Sequence, residues 1–542
     1  PDEDKMNLGK IYHMGKEEAA GLILNRQAMA SHTFITGSTG TGKSNAVYHL
    51  LDEITKNGQT TFLVVEPAKG EYKNVFGNCT DVQVFGTNPR ETPLLRMNPF
   101  AFPENIHILE HIDRLVEIFN ACWPMYAAMP AVLKDAIERS YQKVGWDLRN
   151  SESEKGIFPT FFDLLDILPG VIEESHYSKD TQSDYVGALC TRVKSLTNGI
   201  YGSVLCAEDA LSDAEMFDQN VIVDLSRVGS METKSLLMGI LVMKLQEYRM
   251  CSSGMNSRLR HVTVLEEAHN LLRKTSAEQS QEGANLQGKS VEMLANAIAE
   301  MRTYGEGFII ADQAPGLLDM SVIRNTNTKI ILRLPDEEDR KLVGKSAALK
   351  EAQIDELSKL PLGVAAVYQN EWPEAVLCKI EAYPMPENAV YHKPSKMPHE
   401  INAEFVFGQL AVGKELEPLS ISEMEQLKLW LKRHETVLKP EDSRYLERVF
   451  AGGELDVAKT RKAVFDFFGG IGTVVDYCAA AKKSLTPRKE FLEQLQGQYG
   501  LKAAAADWVL NSVISMGMSL NPDAKAVDNL RTNFEQQGGR VL

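Results

Sequence analysis

The eight residues Gly37-Ser38-Thr39-Gly40-Thr41-Gly42-Lys43-Ser44 fit GxxxxGK[ST] without a mismatch. The chemistry this order of residue types performs is gripping a polyphosphate. Glycines let successive backbone N–H groups turn inward around phosphate oxygens. Lys43 reaches the β- and γ-phosphates as a point charge, and Ser44 supplies a hydroxyl ligand to Mg²⁺. A helix opening at Lys43 turns its positive end on the same anion. Gly37 through Asn45 is therefore the candidate nucleotide-binding segment. The plainer alternative is a glycine turn beside a chance lysine. The context argues against it, because apolar HTFIT precedes the loop and helix-like KSNAVYHLLDEITKNG follows.

Holding a phosphate is not splitting it; hydrolysis also needs a group that positions water. HVTVLEEAHNLL offers one, with Glu266 and Glu267 at the C-terminal end of an apolar strand. In an open parallel sheet ligands sit beyond that end of the strands. Glu266 would hold Mg²⁺ through water and Glu267 would polarise the attacking water. A solvated acidic helix start has the same composition. Gln313 closes GFIIADQ and could feel the γ-phosphate, or could be an ordinary surface glutamine. A site completed by a neighbouring subunit needs a planar cation. Arg302 in EMRTYGEG is the first candidate and Arg333 the second. Arg324 and Arg333 flank NTNTKIILRL, and a solvated salt bridge is the competing role for each arginine. His269 follows EEA, where a histidine more often caps or packs than catalyses. No His/Cys metal cluster, GxSxG or nuclease-like carboxylate array stands out.

The elements that must position these residues alternate. HTFIT, TTFLVVEP and DVQVFG are predicted strands, and QNVIVDLS, RHVTVLEEA, EGFIIADQ, TKIILRL and GVAAVYQN add five more. Apolar runs without polar alternation suit strands covered on both faces, hence a mainly parallel sheet. KSLLMGILVMKLQEYRM, VEMLANAIAEMRTY and DEEDRKLVG are predicted helices between them. The segment RKTSAEQSQEGANLQGKS, 273–290, is polar and predicted to be a mobile loop. The resulting division is residues 1–102 as the first half of an α/β core, 103–215 as a helical insertion and 216–382 as the second half. A proline-rich linker over 383–399 and a mainly helical region over 400–542 complete it.

The 542 residues are 44% apolar and 24% charged, ordinary for a globular protein. The net charge of -16 and pI near 5.3 exclude a broad basic face that coats nucleic acid. They leave room for a narrow basic channel. Seven scattered cysteines without a CxxC pair fit buried thiols in a reducing cytosol. No apolar run approaches a membrane span. The charged start PDEDKMNLGK has no signal-peptide pattern and lacks an initiator Met, as a fragment would. A cytoplasmic protein is the expectation.

The segments TFITGSTGTGKSN, FLVVEPAKGEY, PLLRMNPF, VLEEAHNLL, EMRTYGEGFIIADQAPGLL and VIRNTNTKIILRLPDEEDRKLVG, in that order, resemble the HerA branch of the HerA–FtsK ATPases over roughly residues 6–380. The resemblance implies a RecA-like P-loop core, ATP and Mg²⁺ as cofactors and a homo-hexameric ring. It implies double-stranded DNA driven through a central pore beside a nuclease or NAD-hydrolysing effector, often in defence against phage. It carries Lys43, Ser44, Glu266, Glu267, Gln313 and Arg302 into the site, with Glu66 or Glu71 near the catalytic water. Relatives usually begin with a small β-barrel, and little precedes the phosphate loop here. The stretch 400–542 matches no motif of the family.

Two functions follow as expectations: an ATP-driven DNA translocase, or an ATP-controlled scaffold that assembles and activates an effector. A small-molecule phosphotransferase is a third, weaker one. In the translocase, Arg273, Lys274 and Lys289 are candidate DNA contacts, with a solvated loop as the alternative.

Overall fold

The computed structural model describes residues 4–126, 128–153, 156–207, 210–275, 281–385, 389–393, 444–446, 448–449, 456–499, 501 and 503–541, with the backbone alone over 281–285 and at 457 and 504. The first of two compact units spans residues 1–152 and 158–395 and is built on an 11-stranded sheet. Its strands are β1 (Lys5–His13), β2 (Lys16–Asn25), β3 (Thr33–Thr36), β4 (Thr61–Glu66) and β5 (Val82–Gly86). They continue with β6 (Asn220–Asp224), β7 (His261–Glu266), β8 (Glu306–Asp312), β9 (Thr328–Ile331), β10 (Val364–Gln369) and β11 (Val376–Ile380). The order across the sheet is β2-β1-β11-β10-β9-β3-β8-β7-β4-β6-β5.

From β9 to β5 every neighbour pair is parallel. From β9 to β2 every pair is antiparallel. The parallel part is the RecA-like P-loop core. Its strands β3, β6, β7 and β8 are buried at every residue, as strands covered on both faces must be. Alternate residues feed two cores. Phe34, Leu63, Val65, Leu265, Phe308 and Ile310 pack with the helical insertion. Ile35, Val64, Val264, Ile309 and Ala311 pack with α1 (Lys43–Thr55). Each fully buried Phe, Leu or Ile of this kind stabilises the fold by about 1.5–3 kcal/mol.

Within the insertion, α2 (Ile108–Cys122) shows why such a helix forms and stops. Ile108, Ile112, Leu115, Val116 and Phe119 recur at helical spacing and are all buried. The His107 side chain caps the start by accepting from the Leu109 N–H. Trp123, which precedes Pro124, is extended and ends the helix. The helix Phe161–Glu174, with Pro169 inside it, is one that the sequence reading leaves out. The stretch DYVGALCTRVKSLTNGIYGSV lies in a run that is helical from Lys179 to Thr197, through a π-helical turn at Val186–Cys190, and then, after an extended Asn198, from Gly199 to Leu205.

Where the parallel strands begin, Glu306 opens β8 in full burial. It accepts from Thr263 Oγ1 at 2.8 Å and Arg249 Nε at 2.9 Å, and pairs with His261 Nδ1 at 2.8 Å. Arg249 belongs to α3 (Met231–Ser252), so this knot ties a covering helix to β7 and β8. A buried carboxylate needs such partners to remain ionised.

Four other elements depart from the expectations. Residues 1–30 read in the sequence as one or two short strands leading into the core, whereas β1 and β2 are nine and ten residues long. β11 is an additional strand that joins β10 to β1 within the antiparallel part. The predicted loop 273–290 is helical from Gln281, as part of α4 (Gln281–Glu300); residues 276–280 lie outside the described residues. Val291, Leu294, Ala295 and Ile298 bury the C-terminal half of α4. The turns before them are held to α2, since Gln287 Nε2 donates to the Ala121 carbonyl at 2.9 Å and Ser290 Oγ to Glu117 at 2.6 Å.

The second unit, residues 153–157 and 396–542, contains the helices Val457–Phe467, Gly470–Ala481, Pro487–Tyr499, Ala503–Leu520 and Ala524–Gln536. Val464, Phe468, Tyr477, Val509, Val513 and Phe534 form its own core. The predicted helix ISEMEQLKLWLKRHETV, residues 421–437, lies outside the described residues. Among the described residues no single helix is long and apolar enough to cross a membrane. All seven cysteines are free.

Candidate active site

The C-terminal ends of β3, β8, β7 and β4 stand side by side, and each delivers a different function. β3 runs into the phosphate loop, β8 ends at Asp312 and Gln313, β7 at Glu266 and Glu267, and β4 at Glu66. In the loop, Gly40 and Gly42 have φ of 75° and 104°. These left-handed values are ones that glycine adopts freely. Gly42 then caps α1, whose first residue is Lys43. Gly37 is needed for space, because a Cβ there would meet Leu332 at 2.8 Å and Thr41 at 2.7 Å. The loop edges a cleft of ≈ 280 Å³ that Lys69, Gln313 and Leu362 also line.

Lys43 Nζ donates to Glu266 Oε2 at 2.9 Å and to Glu267 Oε1 at 3.4 Å. Burial works to lower the pKa of Lys43, but the charges of Glu266 and Glu267 outweigh it and raise the pKa. Glu266 Oε1 accepts from the Tyr72 hydroxyl at 2.5 Å, and burial with that neighbouring charge holds Tyr72 protonated far up the scale. Glu66 accepts the N–H groups of Glu71 at 2.8 Å and Tyr72 at 3.1 Å, which folds the segment after β4 back towards the site. Burial pushes Glu66 up to about 7. Of the two acidic candidates in this segment, Glu66 joins through its carboxylate and Glu71 through its backbone N–H.

Glu267 has φ 46° and ψ 51°, a left-handed conformation costly for a residue with a Cβ. Its Oε1 accepts from Gln313 Nε2 at 2.8 Å, while Thr39 Oγ1 donates to Gln313 Oε1 at 2.8 Å. Thr39 in the phosphate loop, Gln313 and Glu267 thus form one chain of hydrogen bonds. Two carboxylates, one lysine and a glutamine converge where a terminal phosphate would sit. For Mg²⁺, the Ser44 hydroxyl and the Glu266 carboxylate are hard oxygen donors of the type it takes. They lie on the two walls that meet at Lys43, so the residues fit the ion.

Other expected residues are placed elsewhere. Asn45 turns its side chain from the loop to the Glu381 carbonyl at 3.0 Å and the Tyr383 N–H at 2.8 Å. Arg333 is exposed and follows β9; its carbonyl accepts from the Ser38 N–H at 3.0 Å, beside the chain's own phosphate loop. Arg302 is also exposed, but in the turn Met301–Tyr304 before β8, at the opposite edge of the sheet. It shares a cleft of ≈ 500 Å³ with Arg324, Asn325, Asn327 and Asn370. Arg273, Lys274 and Lys289 are exposed.

Tyr72 and Asp312 were not singled out from the sequence. Nothing local marks Tyr72, whose partner is 194 residues away. Asp312 lies within a motif already quoted, next to Gln313, but its partner is His269, on another strand's end.

Residues 6–244 match the family model described as the central domain of helicase HerA. A probable helicase of Methanocaldococcus jannaschii is 23% identical over 69% of this chain and 72% of its own. The DNA double-strand break repair helicase HerA of Sulfolobus acidocaldarius is 26% identical over 70% of this chain and 69% of its own. Among solved structures, VirB4 of Thermoanaerobacter pseudethanolicus shares the fold, with a TM-score of 0.52 and 18% identity over 71% of this chain and 98% of that one.

Proposed function

We propose that this chain is a HerA-like P-loop ATPase, similar in sequence to the HerA helicases, and works as a homo-hexameric ring that hydrolyses ATP with Mg²⁺ and moves double-stranded DNA through its pore. The observation that carries the hydrolytic part is the convergence of Lys43, Glu266, Glu267 and Gln313 at one cleft. Lys43 transfers its ion pairs from the two glutamates to the β- and γ-phosphates. Glu267, released from Lys43, accepts a proton from the attacking water. Gln313 ties the terminal phosphate to β8. Ser44 and Glu266 would hold Mg²⁺, which would supply charge neutralisation to the phosphates.

The DNA part rests on the relatives, several of which bear the name DNA double-strand break repair helicase HerA. The net charge of -16 confines DNA contacts to a few inward basic side chains, among which Arg273, Lys274 and Lys289 are exposed. Arg302 suits the neighbour-completing cation. Its place at the edge opposite its own phosphate loop leaves it free to approach that of another copy. A nuclease or NAD-hydrolysing partner, work against phage and a cytoplasmic setting belong to the same reading. Under a second reading the ring is an ATP-controlled scaffold for an effector, favoured by the acidic balance and by the separate helical unit.

Steady-state ATPase assays with and without linear duplex separate the two. A translocase raises its turnover severalfold with duplex, and the gain shrinks as salt rises. Turnover indifferent to duplex at every salt concentration would end the translocase reading. For the ring, Arg302→Ala alone is expected to lose turnover. It should regain part of it when mixed with Lys43→Ala subunits, whose intact arginine completes the Arg302→Ala sites. Absence of any recovery in verified mixed rings would rule Arg302 out as the shared cation.

A further inference from the structure

His269 and Asp312 are not accounted for by the roles above, and they are the best-defined polar pair beside Glu267. Asp312 ends β8 and is fully buried. Its Oδ2 accepts twice from one residue: the His269 N–H at 2.8 Å and His269 Nδ1–H at 2.9 Å. Its Oδ1 accepts the Ala314 N–H at 2.9 Å, so the carboxylate is fixed at both oxygens. His269 in turn lies two residues after Glu267, across the left-handed bend. The Glu267 carbonyl accepts from the Asn270 N–H at 2.9 Å and from Asn270 Nδ2 at 2.7 Å, which closes the bend from the other side.

We propose that Asp312 and His269 are positioning residues for Glu267: by clamping the Glu267–Asn270 turn to the end of β8, they hold the Glu267 carboxylate at the phosphate site. Two features support this. A left-handed backbone at a glutamate persists only where its surroundings over-determine it, and the double grip of Asp312 on His269 supplies that constraint. Moreover, both Glu267 oxygens face groups tied to the end of β8. Gln313 donates to Oε1 at 2.8 Å, and the imidazole Nδ1, oriented by Asp312, stands 3.6 Å from Oε2. The Asp312 hydrogen bond also raises the imidazole pKa. The proposal rests on the reading of Glu267 as the water-polarising group.

The test compares His269→Ala with His269→Asn, whose amide nitrogen takes the place of Nδ1 and can donate to Asp312. In His269→Ala, kcat for ATP should fall about 10–100-fold, the size outer-shell partners have elsewhere. The dissociation constant for a fluorescent ATP analogue should change by less than about threefold, because an interaction that only orients the reacting group acts on kcat. His269→Asn should recover most of the turnover. Wild-type kcat in His269→Ala overturns the proposal. So does equal loss in both variants with nucleotide binding intact, or a loss of nucleotide affinity in step with kcat. If His269→Ala does not fold, Asp312→Asn stands in for it, and unchanged kcat there is equally fatal. Glu267→Gln is measured alongside. Normal hydrolysis in that variant removes the underlying reading of Glu267, whereas an inert Glu267→Gln beside an active His269→Ala removes only the clamp.

Discussion

Lys43→Ala should bind ATP too weakly to detect at ordinary concentrations. A charge-assisted hydrogen bond contributes about 1.5–3 kcal/mol net. Losing those that Lys43 makes to two phosphates therefore weakens binding by roughly a hundredfold or more, at about tenfold per 1.4 kcal/mol. The nucleotide-free protein is affected as well. Lys43 is 8% exposed, and it is the lysine paired with Glu266 and Glu267, themselves 8% and 15% exposed. Its removal leaves two neighbouring carboxylates with no cation between them. Breaking a buried pair from one side costs about 3–5 kcal/mol. The residual exposure of Glu267 places the effect at the lower end of that range. Titration with a fluorescent ATP analogue and a thermal melt of the free protein measure the two consequences. Binding within a few-fold of wild type would show that Lys43 does not carry the phosphates.

Glu267→Gln separates binding from chemistry. The substitution keeps shape and volume but removes the proton acceptor, and general-base groups contribute about 10²–10⁴-fold to rate. ATP should remain bound while turnover falls by that order. The introduced amide and the amide of Gln313 then present nitrogen towards one another unless one turns over. If Gln313 is the one that turns, its bond with Thr39 must also rearrange, because Thr39 donates to the Gln313 oxygen. Radiolabelled ATP retained on the protein without release of phosphate is the expected signature. Ordinary phosphate release would remove Glu267 from its role.

The legible and illegible parts of this chain differ by the range of the interactions behind them. β3, β4, β6, β7 and β8 are continuous apolar runs because both faces of each are covered, and such runs can be read without knowing the partners. β2 exposes most of its residues, Lys16 to Gly21 among them, so no apolar period marks it. The glycines and glutamines of 281–290 mimic a loop, and only the neighbouring α2 shows why that stretch is helical. The site divides in the same way. Lys43, Ser44, Glu266, Glu267 and Gln313 lie in local patterns at strand ends. Tyr72 and Asp312 acquire partners only through the sheet order β8-β7-β4, which joins strands distant in the chain.

That strand order has a consequence for biosynthesis. β3, which carries the phosphate loop, pairs with β8 and β9 and with no strand near it in the chain. During translation it leaves the ribosome well before either neighbour exists. At about 5–20 residues per second, the interval between Thr36 and Asp312, the end of β8, lasts roughly 14–55 s. Throughout that time Phe34 and Ile35 have no lateral hydrogen-bonding partner, and the nascent segment presents a bare apolar strand. Holdase chaperones, rather than nucleotide, are what this stretch needs first, and a truncated message that stops before β8 should yield insoluble polypeptide.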